Sequence, residues 1–219
     1  MSEPDNFGGA WLVAEYVHDP DGTFIGIVKQ RRLVEPVDAG RLRITQICEP
    51  EPTLSAHPMA AFAGTWVFDL MVDGPTRTYL GPDVVGQGTE WRPGALTATG
   101  TWPRFGHDFS SYSVLVAPDR QLTGGFFSIA GRSVADIVGV AVPESLGIEP
   151  SLDLAADPPD PGTGWLLSRA VGPMTVATDR PAPDRVRRLV AVTDRTSDST
   201  VRITEEHRAA PALSVEISS

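Results

Sequence analysis

A chain of 219 residues, 41% hydrophobic and 21% charged, can bury the core of one large β barrel or sandwich and is too well balanced for wholesale disorder. Its formal net charge of -10 disfavours the clustered Lys and Arg that nucleic acids and anionic membranes require, and no apolar run reaches the roughly 18 to 20 residues of a membrane span. Cys48 is the single cysteine, which excludes an internal disulfide and a thiolate metal cluster.

Residues 1–6 lack the basic and apolar regions of a signal peptide, so the expected compartment is the cytoplasm. All but one of the 18 basic residues are arginine, Lys29 being the exception, a bias that fits a GC-rich bacterial genome. Glycine (21) and proline (20) recur throughout. They break each apolar stretch before it can become a long helix, which predicts an all-β chain of short strands and many turns.

Residues 11–17 read as the first strand, ended by Asp19-Pro20-Asp21-Gly22, and residues 23–33 as the second. Val37-Asp38-Ala39-Gly40 then turns into residues 41–47. There Leu42 and Ile44 share one face while Arg41, Arg43 and Thr45 share the other, the period of a half-buried strand. Residues 49–58 carry three prolines and read as a crossing loop. Strand pattern resumes over 64–72, up to the hairpin signal Asp73-Gly74, and continues over 77–80, 85–91, 95–102, 109–116, 121–129 and 134–142. These runs fall at the spacing of an antiparallel barrel or sandwich. Residues 103–108 read as a loop, and Gly124-Gly125 as a bend where a barrel strand must curve.

Three units follow: a main barrel over 1–142, a linker rich in proline and aspartate over 143–162, and a short C-terminal β extension over 163–219. The extension is expected to hold three or four strands, with runs at 165–171, 174–177, 187–193 and 200–204, packed on the barrel. It echoes the start of the chain. Trp11-Leu12 with Val17 matches Trp165-Leu166 with Val171, Arg31-Arg32-Leu33-Val34 matches Arg187-Arg188-Leu189-Val190, and Arg43-Ile44-Thr45 matches Arg202-Ile203-Thr204. Partial duplication and convergence of similar meanders both account for it.

Gly9-Ala10-Trp11, Gly64-Thr65-Trp66 and Gly100-Thr101-Trp102 open three of these runs. With the succession of short strands, they resemble the Gly-Xaa-Trp strand starts of lipocalin-like, or calycin, barrels. The resemblance covers residues 7–142. It implies an antiparallel lipocalin-like barrel around an apolar ligand, with one tryptophan, Trp11 or Trp66, plugging one end. It brings no catalytic motif. Some bacterial barrels of this broad type cyclise or hydrate apolar biosynthetic intermediates, and that analogy supplies the enzymatic reading.

The densest mixture of aromatic, cationic and titratable side chains is Trp102-Pro103-Arg104-Phe105-Gly106-His107-Asp108-Phe109. His107 suits proton transfer near neutral pH and Arg104 the stabilisation of an enolate or oxyanion, with Phe105 and Phe109 excluding water. The same segment also reads as a plain surface loop. Asp69, between Phe68 and Leu70, is a third catalytic candidate, and Asp136 a comparable carboxylate; in alternating strands either can instead face solvent. Arg132 and Glu90 share that ambiguity. Trp66, Tyr79, Trp91, Trp102, Phe105, Phe109 and Tyr112 are candidate ligand-binding residues, the tyrosines offering an apolar body with a hydrogen-bonding tip. His57-Pro58-Met59 suits a lid at the barrel mouth or a rigid loop, and His18 an exposed turn.

The four histidines lack metal-site spacing, so no metal is expected. No phosphate loop, dinucleotide fingerprint or Gly-Xaa-Ser-Xaa-Gly elbow occurs, Gly86-Gln87-Gly88 being too short, and no cofactor is expected. The expected partner is an apolar small molecule, without nucleic acid or membrane, and a homodimer stays open. Three functions are carried forward: a cofactor-independent cyclase, isomerase or hydratase; a non-catalytic carrier; and a structural partner protein with exposed sheet edges.

Overall fold

The computed structural model describes residues 6–20, 23–151, 167–171, 174–182, 185–194, 199–207 and 212–218. Ten antiparallel strands close into a barrel: β1 (Gly9–His18), β2 (Phe24–Asp38), β3 (Arg41–Pro50), β4 (Gly64–Asp73), β5 (Thr76–Leu80), β6 (Val85–Arg92), β7 (Ala95–Trp102), β8 (His107–Ala117), β9 (Arg120–Ile129) and β10 (Arg132–Pro143). Each strand pairs with its neighbours in sequence, and β1 pairs with β10 from Trp11↔Pro143 to His18↔Asp136 to complete the circle. Closure leaves no sheet edge in the barrel. This is the all-β, up-and-down architecture that the lipocalin-like resemblance implied, its ten strands corresponding to the ten runs read in the sequence.

The stretch read as a loop over 103–108 is shorter. His107 already belongs to β8, paired with Trp102 on one side and Ile129 on the other, so only four residues turn. The bend expected at Gly124-Gly125 is present: both have φ of +149°, and a β-carbon on Gly125 would lie 2.0 Å from the Ser110 carbonyl oxygen. Only glycine lets β8 and β9 approach this closely.

The proline-rich crossing folds into two 3-10 helices, Pro52–Leu54 and Pro58–Phe62, each begun by a proline whose missing N–H costs nothing there. They bury Leu54, Met59 and Phe62 at one end of the barrel. His57 anchors this cap. Its Nδ1 accepts from the Met59 amide at 3.2 Å, which leaves Nε2–H to donate to the Val134 carbonyl on β10 at 3.1 Å. His57 Nε2 also lies 3.3 Å from the Asp19 carboxylate.

Beneath the cap, the Phe62 ring lies 5.1 to 5.3 Å from the rings of Trp102, Phe105, His107 and Phe127, mostly edge to face. Such pairs contribute about 0.5–1.5 kcal/mol each beyond area burial. Trp66 joins the cluster and donates Nε1–H to the Phe62 carbonyl at 2.8 Å. Because β1 and β4 run in opposite directions, Trp11 and Trp66 mark opposite ends. Trp11 packs with Val13 and Ala141 and donates to the Phe7 carbonyl at 3.1 Å.

A separate five-stranded antiparallel sheet comprises β11 (Leu167–Val171), β12 (Met174–Ala182), β13 (Arg185–Asp194), β14 (Ser199–His207) and β15 (Ala212–Ser218), in sequence order. It has one strand more than the upper expectation of four. Trp165 and residues 152–162 of the expected linker lie outside the described residues. The echo extends to pairing. Leu33↔Thr45 and Val34↔Ile44 join β2 to β3, and the matching Leu189↔Thr204 and Val190↔Ile203 join β13 to β14 in the same register. No helix among the described residues is long and apolar enough to cross a membrane.

Candidate functional site

The barrel is hollow between the cap and the Trp11 end. A cavity of about 170 Å3 is lined by side chains from all of β1–β5 and from β7–β9. Most of its wall is apolar: Val28, Val34, Ile44, Phe68, Leu70, Phe109 and Phe127. Strands β1, β2 and β3 contribute the polar groups Glu15, Gln30, Arg32, Gln46 and Cys48, and β5, β8 and β9 add Arg77, Tyr79, Ser111, Tyr112, Ser113 and Thr123. Strand parity puts the first set there, since Glu15 shares its phase with Trp11, Val13 and Val17, and Gln30 and Arg32 alternate in step with Val28 and Val34.

Glu15, Gln30, Arg32 and Gln46 form a chain. Gln30 Nε2 donates to Glu15 Oε2 at 2.5 Å, Gln46 Nε2 donates to Gln30 Oε1 at 2.5 Å, and Arg32 Nη2 approaches the same Gln30 oxygen at 3.5 Å. Burial raises the Glu15 carboxyl above its ordinary range, and this outweighs the opposing pull of Arg32 and Gln30. The Cys48 thiol and the Tyr79 hydroxyl are each pushed up to about 12, again chiefly by burial. Tyr112, also on the wall, is raised by burial and by Glu15, and its hydroxyl has no hydrogen-bond partner among the described residues.

A charged pair also reaches the cavity through Arg77. Arg77 is paired with Glu90, and Arg77 Nη1 donates to the Gly74 carbonyl at 2.6 Å, so its charge is compensated. Glu90 also accepts from the Gly94 amide at 3.0 Å. Both side chains are largely withdrawn from solvent.

The residues singled out in the sequence scatter over four settings. Tyr79, Trp102, Phe109 and Tyr112 line the cavity. Trp66, Phe105 and His107 belong to the aromatic cluster and are not wall residues. His107 is buried, its Nδ1 lies 3.0 Å from the Phe105 carbonyl, and burial lowers its basicity. Arg104 sits on the turn, exposed, with its guanidinium 5.5 Å from the Trp66 ring centre and 3.8 Å from the Asp83 carboxylate. Asp69 pairs with Arg43 at 2.9 Å, on the opposite strand face from the wall residues Phe68 and Leu70. The three catalytic candidates therefore do not converge on the cavity. The side chain of Trp91 lies outside the described residues. His18, expected in an exposed turn, is buried, as is Asp136.

Among the described residues, no three His, Cys, Asp or Glu side chains come together as a metal site. No family model and no curated protein matches the chain. Among solved structures, an S-type phycobiliprotein lyase from Guillardia theta is similar at 11% identity and a TM-score of 0.46, covering 63% of this chain and 88% of the lyase. A redesigned β barrel is similar at 13% identity and a TM-score of 0.35, covering 63% of this chain and 90% of its own.

Proposed function

We propose that the barrel binds a small, largely apolar molecule in its lumen, with one polar end held by Glu15, Gln30, Arg32 and Gln46. The observation that carries this reading is the hydrogen-bonded chain from Gln46 through Gln30 to Glu15 on a cavity wall that is mostly apolar. Apolar lining supplies affinity, and a few placed polar groups fix orientation. A barrel serving only as a structural partner would have its lumen filled by side chains. Saturable binding of single-ring compounds, reported by the fluorescence of the wall residue Trp102, tests the reading. Absence of any saturable ligand across neutral and acidic compounds would overturn it.

The second reading is cofactor-independent acid–base chemistry on the bound molecule, of the cyclase, isomerase or hydratase type. Glu15 favours it, being a lumen carboxyl held above its ordinary range by burial. In this reading Glu15 moves the proton while Arg32 and the tyrosine hydroxyls stabilise developing charge. Glu15→Gln separates the two: a catalyst loses turnover and keeps binding, whereas a carrier converts nothing in either form.

A further inference from the structure

Arg32 makes no close ion pair among the described residues, although Glu15 lies within reach of its field. Arg32 lines the cavity, and no carboxylate lies within 4.0 Å of it among the described residues; its hydrogen bond there is the 3.5 Å contact with Gln30. The other arginine on the wall, Arg77, has its own carboxylate in Glu90 and two backbone carbonyls. A guanidinium offers five N–H donors and stays protonated in proteins. Arg32 shares the phase of Val28, Gln30 and Val34 along β2, which places it on the lumen side of the strand. A guanidinium drawn partly out of water without a close ion pair gains from an anion that joins it.

We propose, on the reading that the lumen binds small molecules, that the ligand is an apolar monocarboxylic acid whose carboxylate pairs with Arg32. The matched geometry is a fork of two N–H donors on a planar carboxylate. Size limits the remainder, since a dry cavity of about 150 Å3 holds a benzene ring and this one is about 170 Å3. One ring or a short branched chain fills it. One arginine neutralises one charge, and a phosphate dianion would leave a buried excess.

The charged and titratable groups facing the site are Glu15, Arg32, Cys48, Arg77, Tyr79 and Tyr112. Burial keeps Cys48, Tyr79 and Tyr112 neutral across the working range, and Arg77 is compensated by Glu90. Glu15 is thus the group whose charge changes. It is best neutral when the carboxylate binds, so affinity for the acid falls as pH rises through the Glu15 titration, and binding takes up protons.

The test is calorimetric titration of the full chain with benzoate, benzamide and phenyl phosphate at two pH values, repeated with Arg32→Met. The expected result is that benzoate binds at least about tenfold more tightly than benzamide, that it binds more tightly than phenyl phosphate, and that the preference disappears in Arg32→Met. If that variant does not fold, the benzoate-to-benzamide ratio and its pH dependence in the wild type decide. Benzamide binding as tightly as benzoate overturns the carboxylate proposal and leaves the binding lumen standing. Phenyl phosphate binding more tightly than benzoate, or benzoate preference surviving in Arg32→Met, also overturns it. Failure of all three probes overturns the proposal together with the reading beneath it.

Discussion

Glu15 and Gly139 face each other across the β1–β10 pairing, and the absence of a side chain at Gly139 makes room for the carboxylate stem. A β-carbon at position 139 would stand 2.9 Å from Glu15 Cγ and 2.8 Å from the Ala14 carbonyl oxygen. Gly139→Ala should therefore cost about 1–3 kcal/mol by overpacking and displace Glu15 from Gln30. Urea denaturation measures the loss. An unchanged midpoint would show that β10 yields freely there.

Arg77 and Glu90 form a nearly buried pair, to which Glu90 adds the Gly94 amide. Truncating one partner strands the other, so Arg77→Ala should cost about 3–5 kcal/mol. The double replacement Arg77→Met with Glu90→Leu should recover most of that loss. Equal damage from the double and single variants would contradict the pairing.

The raised Glu15 carboxyl makes stability depend on pH with a definite sign. Below the ordinary carboxylate range both folded and unfolded chains hold the proton, and Glu15 contributes no difference. As pH rises the unfolded chain gives up its proton first, so the folded state loses stability until the raised folded value is passed. Glu15→Gln keeps an acceptor for Gln30 and removes the titration. Its stability relative to wild type should rise from acid to neutral pH in chemical denaturation, and a difference constant across pH would refute this.

Cys48 is buried and its thiol is pushed up to about 12. Thiol reagents attack the thiolate, so Cys48 should resist disulfide-exchange labelling at pH 8 in the folded protein and react once the protein is unfolded. Fast labelling under native conditions would place Cys48 at an open site.

The fold was far easier to read from the residues than the site was. Leu42 and Ile44 alternate with Arg41 and Arg43, and this period sets the wet and dry faces of β3. The same logic hides Glu15, Gln30, Arg32 and Gln46, because alternation assigns polar residues to the outer face, whereas a hollow barrel has a second unfilled surface inside. Their signal was parity: Glu15 falls in phase with Trp11, Val13 and Val17. His107 drew attention through its neighbours in sequence, but the Trp102↔His107 pairing makes it part of a packed aromatic cluster. Asp69 meets Arg43 only because β3 and β4 pair in that register, which no local pattern encodes.

The central claim is that the lumen takes up a small molecule, and one titration addresses it without depending on charge. Benzyl alcohol is added to the full chain while the nuclear magnetic resonance signals of the wall residues Tyr79 and Phe109 are followed, in wild type and in Ser111→Leu, which fills the cavity from β8. The account predicts saturable shifts confined to the cavity wall in wild type and their loss in Ser111→Leu. Shifts that never saturate, or that persist unchanged when the cavity is filled, would contradict it.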